Sequence, residues 1–232
     1  MAVPYRGKIY WVWGDTSQPR YPLGLFRTSG ATSQLPGKGG LRAGVGVDLT
    51  YFVGADGFSR AMAPLPESPD GPVWIDGLLT VNDETGRERM LCTYSRIKPP
   101  FQRVERGLMA YNDKEDIFEK IMSVPLDAPL APAGHPLRAT SEGQDYFYFP
   151  NPYPASRVKA DWKSLHDLSA YEGYTCLAQG TRYENGNTKL ERDAGGRLVF
   201  QWKRDTPPLT LDQQKELIAD GKMTRHRDDR RP

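Results

Sequence analysis

One stretch limits the possible folds of this chain more than any other: Gly71-Pro-Val-Trp-Ile-Asp-Gly-Leu-Leu-Thr-Val-Asn-Asp-Glu-Thr-Gly-Arg-Glu-Arg-Met-Leu-Cys-Thr-Tyr94. Apolar and β-branched residues run from Trp74 to Val81. Asp83 and Gly86 then supply turn chemistry, and a second apolar run leads to Tyr94. That order spells strand, tight turn, strand. The plan recurs. Lys8 to Trp13 is an aromatic strand that runs into Asp15. Asp48 to Phe52 and Phe58 to Met62 flank a Gly54–Gly57 turn, Gly107 to Tyr111 and Phe118 to Val124 flank a polar turn, and residues 134–149 form a further hairpin. Residues 171–179 and 197–203 also read as strands, joined by a long polar connection.

Helices are scarce. Residues 161–169 fit a short one, and Thr210 to Ala219 a convincing one, with Thr210 and Gln213 spaced as a capping box and Gly221 ending it. A parallel α/β sheet needs a helix between successive strands, so that class is excluded. The expectation is an all-β chain built from four-stranded antiparallel sheets. Repeated hairpins of this kind point to β-propeller blades. Three or four blade-like units can be counted, fewer than a full ring. Residues 1–205 would form this domain and residues 206–232 a C-terminal helix with a basic tail.

Composition narrows the partners. Of 232 residues 26% are charged, yet the net charge is only +2, so the chain carries no footprint for nucleic acid. Mean hydropathy is −0.63, and no apolar run is long enough for a membrane-crossing helix. Residues 1–20 lack the basic, apolar and small-residue order of a signal peptide. Cys92 and Cys176 sit in apolar runs and are read as buried free thiols. With neither Cys-x-x-Cys nor paired histidines among His135, His166 and His226, no metal ligand set and no cofactor is expected.

Trp74-Ile-Asp-Gly-Leu-Leu-Thr-Val-Asn-Asp-Glu-Thr-Gly-Arg-Glu-Arg-Met-Leu91 and Trp11-Val-Trp-Gly-Asp15 resemble segments of the five-bladed β-propeller glycoside hydrolases, the arabinanase and β-xylosidase type, and of their less characterised propeller relatives. The resemblance covers roughly residues 7–150. It implies a carbohydrate-active protein acting on an oligosaccharide or polysaccharide in an extracellular or periplasmic setting. It also implies Asp15 as general base and Asp76 as the residue that tunes the acid's pKa. The family's general acid is a glutamate in a Glu-Gly-Pro segment. Here Ala133-Gly-His-Pro136 stands in its place, ahead of Tyr146-Phe-Tyr-Phe149, so His135 becomes the candidate acid.

Inverting glycosidases need two carboxyl groups roughly 6.5–9.5 Å apart, one protonated and one ionised. A histidine with a pKa near neutrality can replace the protonated one. Glu67, Glu105 and Glu142 are alternative acids, with Glu67 ranked first for its place just before the Asp76 strand. Trp13, Asp48, Trp74 and Arg138 are candidate substrate-binding residues. Each has a structural alternative: turn acceptor for Asp15 and Asp48, buried hydrogen-bond partner for Asp76, surface ion pair for Arg138, packing for the tryptophans. The absent glutamate keeps open a second reading, a non-catalytic propeller that binds glycan or protein. A metal-dependent or lyase-type enzyme on the same scaffold is a more distant third.

Overall fold

The computed structural model describes residues 1–14, 27–42, 44–68, 70–150 and 156–224. The chain makes three antiparallel sheets, each a meander of strands consecutive in sequence. The first contains β1 (Ala2–Tyr5), β2 (Lys8–Trp13), β3 (Ser29–Gln34) and β4 (Thr50–Tyr51). The second contains β5 (Val73–Asn82), β6 (Glu88–Lys98), β7 (Gln102–Asn112) and β8 (Ile117–Ser123). The third has one strand more than expected: β9 (Leu137–Ser141), β10 (Gln144–Phe149), β11 (Ser156–Lys159), β12 (Glu172–Thr175) and β13 (Gln201–Arg204).

The second sheet is the middle layer. Its residues alternate between two cores because successive side chains on a strand point to opposite faces. Ile75, Leu78, Met90, Cys92, Tyr94, Met109 and Tyr111 pack against Tyr5 and Val12 of the first sheet. Leu79, Val81, Leu91 and Ala110 pack against Phe147, Phe149, Val158 and Tyr171 of the third-sheet side. Burial on both faces explains why β5 and β6 read as nearly continuous apolar runs.

The turns behave as their residues dictate. Asp83 accepts hydrogen bonds at Oδ1 from the Thr85 and Arg87 amides, and Gly86 takes a φ of +80°. Asp193 and Gly196 repeat the arrangement, with Asp193 Oδ1 accepting from the Gly195 and Arg197 amides. In the connection between β11 and β12, Asp161 caps the five-residue helix α1 (Trp162–His166). The final helix α2 (Leu211–Ala219) carries the expected capping box of Thr210 and Gln213. It docks through Leu217 onto a small core with Cys176, Leu177, Leu209 and Met223. Both cysteines are buried free thiols, Cys92 in the first core and Cys176 in this last one.

Several boundaries differ from the sequence expectation. β1 and β11 were not anticipated. β1 is short and contains Pro4, which its position at a sheet edge tolerates. β7 starts at Gln102, five residues earlier than expected, because the polar run Gln102-Arg-Val-Glu-Arg106 hides its alternation.

One contact ties the third sheet's lead-in to the middle sheet. The backbone at Gly134 and His135 lies directly over Gly77 of β5, where a β-carbon would come within 2.1 Å of the Gly134 carbonyl oxygen. The Leu78 amide donates to His135 Nδ1 at 3.1 Å in the same place. Gly77→Ala therefore forces backbone to move and is expected to destabilise the protein by about 3 kcal/mol, the upper end of ordinary overpacking. Urea unfolding monitored by tryptophan fluorescence checks this; a loss below about 1 kcal/mol would show the contact to be loose.

Candidate functional site

On the face of the middle sheet turned away from the first sheet, apolar packing gives way along the strands to polar residues. Leu79, Val81, Leu91 and Ala110 belong to the second core. Farther along the same face come Thr93, Ser95, Arg106 and Asp76, and there a cavity of about 320 Å³ opens. Pro132, Ala133 and Gly134 wall its other side, and Arg103 and Tyr94 complete the lining. Its volume falls at the small end of ligand sites, roughly 300–1,000 Å³.

Two β-bulges create the polar cluster. In the β5–β6 pairing Ile75 faces Tyr94 and Gly77 faces Thr93, which leaves Asp76 as the extra residue. In the β6–β7 pairing Arg96 faces Glu105 and Ile97 faces Arg103, which leaves Val104 extra. Residues three apart on a regular strand point to opposite faces. The bulge at Val104 corrects this and sends Arg103 and Arg106 to the same face, beside Ser95. Bulges commonly re-aim side chains in this way next to functional sites.

Asp76 accepts a 2.5 Å hydrogen bond from the Ser95 hydroxyl. Burial raises its pKa, and the Ser95 bond and the Arg103 charge only partly offset that. Arg106 is pinned: Nε and Nη2 donate to the Pro125 carbonyl at 3.1 and 2.8 Å, and Nη2 also donates to the Ala128 carbonyl at 3.0 Å. Burial lowers the Arg106 pKa and the Arg103 charge adds to that, with Asp127 acting the other way. Thr93 donates to the Gly134 carbonyl at 3.4 Å. The pocket thus offers one carboxyl able to give or accept a proton, two guanidinium groups and two hydroxyls.

The sequence candidates are distributed unevenly around this pocket. Asp15 lies outside the described residues. Asp76 is in the pocket. His135 adjoins the Gly134 wall, and its Nδ1 is occupied as an acceptor from Leu78, which places the remaining ring proton on Nε2. Though exposed overall, its ring loses part of its water shell, and its pKa moves below the usual histidine value, with the positive N-terminus adding to the shift. Trp74 lies in the same cross-strand row as Ser95 and Arg106.

The other candidates lie elsewhere. Trp13 packs in a tilted arrangement against Tyr51, with ring centroids 5.8 Å apart, within the first sheet. Asp48 is exposed ahead of β4. Arg138 pairs with Asp145 at 2.8 Å and lines a separate cavity of about 220 Å³ with Asn82, Glu88 and Asp161. Among the alternative acids, Glu67 is held in its charged form chiefly by Lys120, at 2.6 Å. Glu105 sits on the opposite face. Burial pushes its pKa up, but hydrogen bonds from Tyr94, Arg96 and Lys120 together outweigh this and lower it. Glu142 is exposed at the tip of the β9–β10 hairpin, with a φ of +52°.

Ser95, Thr93, Arg103 and Arg106 were missed at the sequence level. The one signal for them was the alternation of charge in Arg103-Val-Glu-Arg106, which looks like a solvated loop until the bulge is known. Among the described residues no group of three or more His, Cys, Asp or Glu side chains is placed to hold a metal ion. No described helix is long and apolar enough to cross a membrane. Comparison with protein-family models and with curated proteins finds no match to this chain. Fold and site together define a protein of stacked antiparallel sheets with a polar pocket at the end of its middle sheet.

Because folding raises the Asp76 pKa, the ionised carboxylate costs stability at pH values above the folded pKa, and the cost disappears as pH falls below the unfolded value. Asp76→Asn removes the charge and keeps an acceptor for Ser95. Its melting temperature relative to the unmodified protein should therefore rise from pH 3 to pH 7. A flat or falling difference in paired thermal melts would show that burial does not dominate at Asp76.

Proposed function

We propose that this chain is a carbohydrate-active protein of the propeller glycoside hydrolase type, with its three sheets as blades and its sugar held in the pocket at Asp76. The observation that carries the reading is the partly buried, upward-shifted Asp76 carboxyl, bonded to Ser95 and set among guanidinium and hydroxyl groups in a cavity of one-sugar scale. Three consecutive meanders stacked through shared cores are what successive blades of such a ring require. Burial moves this carboxyl toward its protonated form, in which it can hold the sugar's hydroxyls or protonate a leaving oxygen, a role that the sequence had offered to His135. In the hydrolytic scheme Asp15 would be its ionised partner and activate water.

A second reading, sugar binding without turnover, has specific support. The Nδ1 of His135 is committed to a backbone amide, and Glu67 and Glu105 are committed to cations. None of the three is left as a free acid for the pocket.

The test is a reducing-end release assay over arabinans, xylans, galactans and fructans, with Asp15→Asn and Asp76→Asn alongside. Release lost by a factor of about 100 or more in both variants is the expected outcome for hydrolysis, matching the usual contribution of an acid or base. Sugar binding that Asp76→Asn weakens, with no release by any form, would select the binding reading. Release unaffected by either substitution would reject the assignment of the pocket.

A further inference from the structure

Resting on the reading of this pocket as a sugar site, we infer that its ligand is an acidic sugar, a uronate whose carboxylate is taken by Arg103 beside Arg106. The argument is one of unmatched charge. Of the five other strand arginines, four each face a carboxylate: Arg89 with Asp83 at 3.5 Å, Arg96 with Glu105 at 3.0 Å, Arg138 with Asp145 at 2.8 Å, and Arg157 with Glu172 at 2.7 Å; the fifth, Arg204, ends β13 and lines neither cavity. Arg103 and Arg106 form no ion pair with any described carboxylate, although both line a cavity that contains one. Asp76 stays outside pairing distance of them and spends an oxygen on Ser95.

The bulge at Val104 is what sets two like charges on one face of the sheet. Such an arrangement is unfavourable while the cavity holds only water, since neighbouring like charges repel. It becomes favourable when an anionic group enters.

Geometry selects the kind of anion. Arg106 has Nε and one terminal nitrogen engaged by the Pro125 and Ala128 carbonyls, so it is a fixed charge. The Arg103 guanidinium makes no hydrogen bond or ion pair among the described residues and keeps its planar fork for a ligand. That fork matches a carboxylate in two parallel bonds. Asp76 and the hydroxyls of Thr93 and Ser95 remain for the ring hydroxyls of the same sugar. A neutral sugar would leave both guanidinium groups without a direct ion pair, facing only the more distant charges of Asp76 and Asp127. A uronate answers them and fits a cavity of about 320 Å³.

The experiment is calorimetric titration of the intact chain with short oligomers of galacturonate, glucuronate and mannuronate. Each is paired with its carboxyl-reduced neutral counterpart, at low and high salt. At least one acidic oligomer is expected to bind about tenfold or more tighter than its reduced form, the scale of one charge-assisted bidentate contact. High salt should narrow that gap, since the carboxylate meets an exposed charge.

Arg103→Gln, at an exposed position whose side chain makes no ion pair with a described carboxylate, should bring the two forms to within about twofold. Arg103→Lys should restore part of the preference. Equal affinity for acidic and reduced forms would overturn the uronate inference while leaving the sugar reading intact. A preference that survives Arg103→Gln would overturn the assignment to Arg103. Failure of every oligomer, acidic and neutral, to bind would overturn the sugar reading and this inference with it.

Discussion

The close approach of the Gly134–His135 backbone to Gly77 is the contact on which the site depends. A strand as apolar as β5 would ordinarily continue its packing against the next sheet to its end. Here the lead-in to the third sheet crosses it instead, at a distance only glycine permits, and is held by the Leu78 amide on His135 Nδ1. On one side of that crossing the two sheets share a dry core of Leu79, Val81, Leu91, Phe147 and Phe149. On the other side they part, and Pro132, Ala133 and Gly134 become the wall of a polar pocket. Buried apolar area holds the sheets together, at about 25 cal/mol per Å² removed from water. The crossing decides where that burial stops.

The pocket's electrostatics follow from two local irregularities. The bulge at Asp76 places a carboxyl among buried groups, where desolvation shifts its proton equilibrium toward the neutral form. The bulge at Val104 places two guanidinium groups on the same face. Regular strands would have put Arg103 with Tyr94 and Glu105 on the opposite face, where carboxylates are plentiful. The ladder gives up regular pairing at three points, and the two at Asp76 and Val104 border the cavity. Features that interrupt a sheet in this manner are better understood as placed for function than as defects.

How much of this was legible beforehand can be judged residue by residue. The β5–β6 hairpin, β2, the Thr210 cap and the scarcity of helix were all readable, because each rests on local chemistry: alternation, an Asp–Gly turn, a capping box. Asp76 stood out for the same reason, as an acid between an isoleucine and a glycine inside a strand. A surface ion pair was foreseen for Arg138 as an alternative to ligand binding, and its partner is Asp145. By contrast Arg103, Arg106 and Ser95 drew no reading from the sequence. Their significance depends on which face they occupy, and a single inserted residue inverts that without leaving a mark in the pattern.

The division between sequence and tertiary structure is therefore one of range. Hydrophobic period, turn residues and caps act over a few positions, so the sequence alone determined an all-β chain of consecutive antiparallel hairpins with a capped terminal helix. Three matters were decided only in three dimensions: that the middle sheet is buried on both faces, that a loop fifty-seven residues away in sequence closes over Gly77 and Leu78, and that one carboxyl and two guanidinium groups without an ion pair among the described residues meet in one cavity. The physical reason is that register, bulges and burial depend on partners far apart along the chain, and no local pattern specifies a partner.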